Sequence, residues 1–178
     1  MITRKEMTRM LLKEGLLSWL ANNSFESVTV TSLCKASGIT RSTFYLHYSN
    51  IMEIVDDLVD DAIAYSKPGM VDNNNLQTIA NTLSAASNSV SLREAYDSIF
   101  DRLPLCQRII RHKKYLPLFL DEQISEYVLQ RIIGREKDRQ GLVIAESLGV
   151  LFDVGVSVFV FLVHGLYAVN KQYKWSQS

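Results

Sequence analysis

Residues 29–48, TVTSLCKASGITRSTFYLHY, hold the side chains of this sequence best suited to chemistry: seven hydroxyls on Ser and Thr, one arginine and two tyrosines around a single glycine. The chemistry they offer is hydrogen bonding rather than bond making. The fork of Arg41 can hold guanine O6 and N7 as a bidentate pair. Serine and threonine hydroxyls can donate to base edges or to phosphate oxygens. No Ser/His/Asp arrangement, phosphate-cradling loop or metal-spaced cluster stands in the sequence, so neither an enzyme nor a cofactor is expected.

Those groups need two short crossed helices to present them. Val30, Leu33 and Cys34 lie one helical turn apart and can share a face. Ser37-Gly38-Ile39 supplies a turn, and Gly38 is the residue that tolerates a positive φ. Ile39 and Phe44 then mark the inner side of a second helix, leaving Thr40, Arg41, Ser42 and Thr43 outward. Thr29 and Thr40 are placed to cap the two helices. The pattern predicts a helix-turn-helix whose second helix suits a DNA major groove, its backbone N–H groups facing phosphate. Arg41 is the leading base reader, with Thr40 and Ser42 as base-edge or shape contacts.

Flanking residues sharpen the pattern. Thr8-Arg9 opens the first helix, Phe25 precedes Thr29-Val30, Gly38-Ile39 makes the turn, and Thr43-Phe44-Tyr45-Leu46-His47-Tyr48 closes the motif. Over residues 8–55 the chain resembles the N-terminal region of the tetracycline-repressor (TetR) family of one-component bacterial regulators. Three positions depart from that family's pattern: Ser24 replaces a frequent Gly, Cys34 the usual Ala, and Ile51 a Lys that commonly opens the fourth helix and touches a phosphate. The last departure predicts weaker non-specific affinity.

The resemblance implies phosphate contacts for Thr43, Tyr45 and His47 at the end of the third helix, and for Thr29 and Thr31 at the start of the second. Lys35, Arg4 and Lys5 would add diffuse positive charge, and Tyr48 would pack on the first helix. The resemblance also implies a cytoplasmic homodimer on a palindromic operator of double-stranded DNA, most simply a repressor released by a small-molecule effector. An alternative of another class is an interaction protein on the same fold that works mainly through a protein partner.

Composition sets the outer limits. A chain of 178 residues makes one domain or two small ones. With 47% hydrophobic residues, 8 Gly and 3 Pro, few breakers interrupt it, which favours an all-α protein. Basic and acidic residues balance at 19 each, so the chain as a whole is no basic nucleic-acid binder. Its first 55 residues hold six basic residues (Arg4, Lys5, Arg9, Lys13, Lys35, Arg41) against four acidic ones (Glu6, Glu14, Glu26, Glu53), a net +2 that a dimer would carry twice. Cys34 and Cys106 stand in no paired or metal-ligand spacing and read as reduced, buried thiols. The charged N-terminus lacks the apolar run of a secretory leader.

The remaining elements follow from periodicity. Residues 1–7 read as a charged arm and 8–22 as a first helix, with Leu12, Leu16, Trp19 and Leu20 on one face. A fourth helix over 51–65 turns Ile51, Ile54, Val55, Leu58, Val59 and Ala62 inward, and its acids Asp56, Asp57, Asp60 and Asp61 read as a solvated face. The stretch 66–75, SKPGMVDNNN, is the best boundary. It gives a DNA-binding domain over 1–50, a connecting helix over 51–66 and a C-terminal helical domain over 67–178. In the latter, helices are expected over 76–90, 92–103, 105–112 and 116–134, a charged loop over 134–141 and a closing helix over 142–173.

The C-terminal half is expected to dimerise and to hold the effector. Leu148, Leu151, Val156, Phe159, Val163, Leu166 and Tyr167 cover more of the last helix than one neighbour can hide, which points to a four-helix bundle between two copies. Tyr96, Phe100, Tyr115, Phe119, Tyr127, Phe152 and His164 are the candidate pocket, although aromatics at helical spacing are more often plain core. Arg108, Arg111, His112, Lys113 and Lys114 form a basic cluster suited to an anionic effector or to solvent. The apolar run 154–169 falls short of the about 20 residues that span a bilayer, so a buried helix is expected there instead.

Overall fold

The computed structural model describes residues 3–66 and 113–172. Among the described residues the chain is all-helical: seven α-helices and one 3-10 turn, with no strand. They are α1 (Arg4–Leu20), the 3-10 turn Phe25–Ser27, α2 (Val30–Ser37), α3 (Arg41–Tyr45), α4 (Ile51–Ser66), α5 (Pro117–Leu120), α6 (Ser125–Leu148) and α7 (Phe152–Gln172). The chain divides into two compact units. The first is Met1–Ala62 with His112–Ile132, and the second is Ile63–Arg111 with Ile133–Ser178. The helices expected over 76–112 lie outside the described residues.

From Arg4 on, the expected N-terminal arm is instead the first turn of α1. Thr3 and Glu6 form a capping box: the Thr3 hydroxyl accepts the Glu6 N–H at 3.2 Å, and the Glu6 carboxylate accepts the Thr3 N–H at 2.7 Å. Thr-x-x-Glu satisfies two orphan donors reciprocally, a signal present in the sequence but overlooked beside Thr8-Arg9. The Thr3 N–H, and then the Thr3 hydroxyl donating at 2.8 Å, hold the Glu6 carboxyl below its usual range. α1 buries Leu12, Leu16, Leu17 and Leu20 and packs against α2 and α5. Gly15 lets α2 come close, since a Cβ there would lie 2.1 Å from the Ser37 hydroxyl.

α4 buries Ile54, Val55, Leu58, Val59 and Ala62, as its periodicity predicts, while Ile51 at its start is only half-buried. Its acids are not a plain solvated face. Asp57 receives the Arg9 guanidinium and the Tyr48 hydroxyl, the latter at 2.6 Å. Asp61 pairs with Lys13, while Asp56 takes the Tyr127 hydroxyl at 2.8 Å and pairs with Arg131. Each acid meets its partner because the apolar side of α4 faces the body, which leaves the acids at the edge of the seam beside α1 and the start of α6.

Between α5 and α6, Asp121 is buried and its carboxylate accepts three backbone N–H groups. They belong to Phe25 at 2.7 Å, Gln123 at 2.9 Å and Ile124 at 3.2 Å. One side chain thus starts α6 and ties it to the 3-10 turn.

The charged loop expected over 134–141 is absent, because α6 runs through it unbroken for 24 residues. Arg, Glu, Lys and Gln are good helix formers, and Glu136 meets Arg139 and Gln140 one turn on. The chain breaks at Gly149 instead, where φ is +66°. The Val150 N–H closes that end on the Ala145 carbonyl at 3.0 Å. α7 then lies tightly on α6. A Cβ on Gly155 would sit 2.2 Å from the Gly141 carbonyl oxygen, and Phe159, Val163 and Tyr167 bury themselves on the same side.

Candidate nucleic-acid interface

α2 and α3 are short, and local hydrogen bonds fix how they meet. Thr29 caps α2: its hydroxyl accepts the Ser32 N–H at 3.0 Å, and the Ser32 hydroxyl accepts the Thr29 N–H at 2.9 Å. α2 ends at Gly38, whose φ of +66° and ψ of +26° are left-handed. The Ile39 N–H then reaches back to the Cys34 carbonyl at 2.9 Å. Thr40 caps α3, accepting the Thr43 N–H at 3.2 Å. Leu33, Cys34, Phe44 and Tyr48 fill the angle between the helices and α1. Burial pushes the Cys34 thiol up, which keeps it protonated and inert.

With Phe44 turned inward, helical spacing turns Arg41, Ser42, Tyr45 and Leu46 outward, and all four are exposed. Thr43 and His47 are half-buried at the edge of that face. The Tyr45 ring meets Phe44 edge-on at 5.2 Å, which steadies it while its body stays exposed. Thr40 is exposed at the start of α3, its hydroxyl 3.0 Å from that of Ser42 and 2.8 Å from that of Thr43. Thr31 and Lys35 are exposed on α2. The structure therefore brings Thr40, Arg41, Ser42, Thr43, Tyr45 and His47 onto one short element. It commits the Thr29 hydroxyl to capping and leaves the His47 Nδ1 buried without a partner.

Charge is distributed less evenly than the sequence count suggests. Arg9 lies over the Tyr48 ring at 5.2 Å with its guanidinium on Asp57, which raises its already high pKa. Lys13 is held by Asp61. Arg4, Lys5, Lys35 and Arg41 remain exposed. Ile51 is half-buried at the first position of α4 and offers no charge there. Leu46 is the residue that sequence reading passed over; its neighbours' helical spacing is the signal that would have found it.

The described candidate effector residues divide between the two units. Tyr115 and Phe119 are buried in the first unit, and Tyr127 is bound there to Asp56. Phe152 is exposed and His164 half-buried in the second unit. Tyr96, Phe100, Arg108, Arg111 and His112 lie outside the described residues. Of the basic cluster, Lys114 pairs with Glu14, which raises its pKa. A groove of about 510 Å³ in the first unit, floored by Met10 and Leu58, holds none of the aromatic candidates.

The candidate dimer residues divide likewise. Leu148 and Leu151 are exposed and Val156 and Leu166 half-buried, whereas Phe159, Val163 and Tyr167 are covered within their own chain. No group of three metal-ligating side chains gathers among the described residues. No protein-family model, curated protein or solved structure matches the chain.

Proposed function

We propose that this protein is a dimeric, TetR-like transcriptional regulator that reads a palindromic operator and is released from it by a small-molecule effector, most simply as a repressor. One observation carries the reading: a capped, five-residue helix, set against α2 by a left-handed glycine, that turns an arginine, a serine, a tyrosine and a leucine to solvent together. A helix of that exposure fits a major groove, and two of them a turn of DNA apart would match a two-fold operator. Effector binding would change the spacing of the two reading helices and so lower affinity.

The test is titration of the purified protein with DNA from around its own coding region over a salt series. The expected result is one short palindromic site with affinity falling steeply as salt rises. Arg41→Ala should then change the preferred sequence, while Tyr45→Phe should weaken every sequence about equally. A second reading, an interaction protein on the same fold, is favoured by Ile51 and by the engagement of Arg9 and Lys13 with acids. Weak salt dependence beside a tight protein complex would select it.

A further inference from the structure

We propose that Leu46 reads the C5-methyl group of a pyrimidine in the major groove and supplies the apolar part of sequence selection. The inference rests on the DNA-binding reading above. Leu46 is 81% exposed, more than any other large apolar residue described. The other large aliphatic side chains of residues 30–48 are buried or half-covered. It stands one turn after Ser42 and next to Tyr45, on the face that Arg41 opens.

Its backbone donor is already engaged. The Leu46 N–H is spent at the helix end, 3.3 Å from the Ser42 carbonyl oxygen and 3.2 Å from that of Thr43. Its exposed side chain is an isobutyl group with no polar atom. On a polar groove floor, the complement of an isobutyl group is the methyl of thymine, the one apolar feature the natural base pairs present there. 5-Methylcytosine carries the same group at the same ring position, so the recognised chemistry is the methyl itself. Arg41 would select guanine through its fork and Leu46 a methylated pyrimidine through contact, two independent terms on one helix face.

The experiment uses the full chain. Bound sequences are first selected from random double-stranded DNA, and each thymine of the selected site is then replaced singly by deoxyuridine, which removes only the methyl. Loss of one contacted methyl should weaken the wild-type protein about fourfold, and loss of the symmetric pair about fifteenfold. Leu46→Ala should bind the thymine and deoxyuridine sites alike. Where the contacted pyrimidine is cytosine, 5-methylation should tighten wild-type binding by the same factor and leave Leu46→Ala unmoved, which separates the two sources. Because the side chain is exposed and Ala favours helix, the variant should keep its helical spectrum. Indifference of the wild type to methyl removal and addition, or an equal response in Leu46→Ala, would overturn the proposal while DNA binding stood. Selection that enriches no sequence would overturn the DNA-binding reading and this inference together.

Discussion

At the scale of single residues, caps and turns are set by hydrogen bonds to near neighbours in the chain. Thr29, Gly38 and Thr40 act as caps and turn because each answers to backbone groups within four positions of itself. Gly15 and Ser37 are 22 positions apart in sequence, and no pattern pairs them. They meet where α1 crosses α2, and there the Ser37 hydroxyl is buried without a partner. The arrangement predicts a coupled pair. Gly15→Ala should destabilise by about 1–3 kcal/mol, because its new methyl falls on the Ser37 oxygen. Ser37→Ala removes an unsatisfied buried hydroxyl and should be neutral, or stabilising by up to about 1 kcal/mol. The double variant should recover much of the loss, since the next atoms, Leu33 Cδ1 and the Ser37 Cβ, would lie 3.3 and 3.4 Å away. Urea denaturation of the four proteins measures this, and strictly additive effects would refute the contact.

At the scale of elements, periodicity located α1, α2, α3 and α4 but misjudged what their polar sides do. An acid at helical spacing looks solvated until the neighbouring helix is placed, and only then do Arg9, Lys13, Tyr48, Tyr127 and Arg131 arrive beside Asp57, Asp61 and Asp56. The Asp57 contact has a pH signature. Burial, and then the hydrogen bond to Asp57, push the Tyr48 phenol well above its ordinary value near 10. The folded state therefore holds this proton more tightly than the unfolded chain does. Its stabilisation is complete below pH about 10 and is lost as pH rises through the alkaline range, by at most about 1.4 kcal/mol per pH unit. Tyr48→Phe keeps the ring among its neighbours but has no proton to lose. The stability difference between wild type and Tyr48→Phe should be flat from neutral pH to about 10 and should shrink above it. Curves that stay parallel to pH 11 would show that the phenol is not held this way.

At the scale of the whole molecule, the helical class and the apolar closing helix were legible in the sequence, but not where that helix begins or how much of it is covered. The glycines of GREKDRQG drew the break to the wrong place; α6 tolerates Gly134 and uses Gly141 for contact, and Gly149 makes the break. α7 is 21 residues long, so its length does not exclude a bilayer as the shorter apolar run did. The physical objection to a spanning helix lies in its neighbour. α6 is fixed to α7 at Gly141 and Gly155, and just before that contact it carries Arg135, Lys137, Asp138 and Arg139, which a membrane would have to accept alongside α7. Away from the α6 contact, Val154 and Phe161 stand about two turns apart and are 45% and 76% exposed. A second copy can cover such a surface without burying charge. We expect the protein to sediment as two chains of 20.2 kDa each, and Phe161→Glu to sediment as one with its helical spectrum intact. Flotation of the wild-type protein with phospholipid vesicles, or a dimer indifferent to a charge at Phe161, would show that something other than a second α7 covers this face.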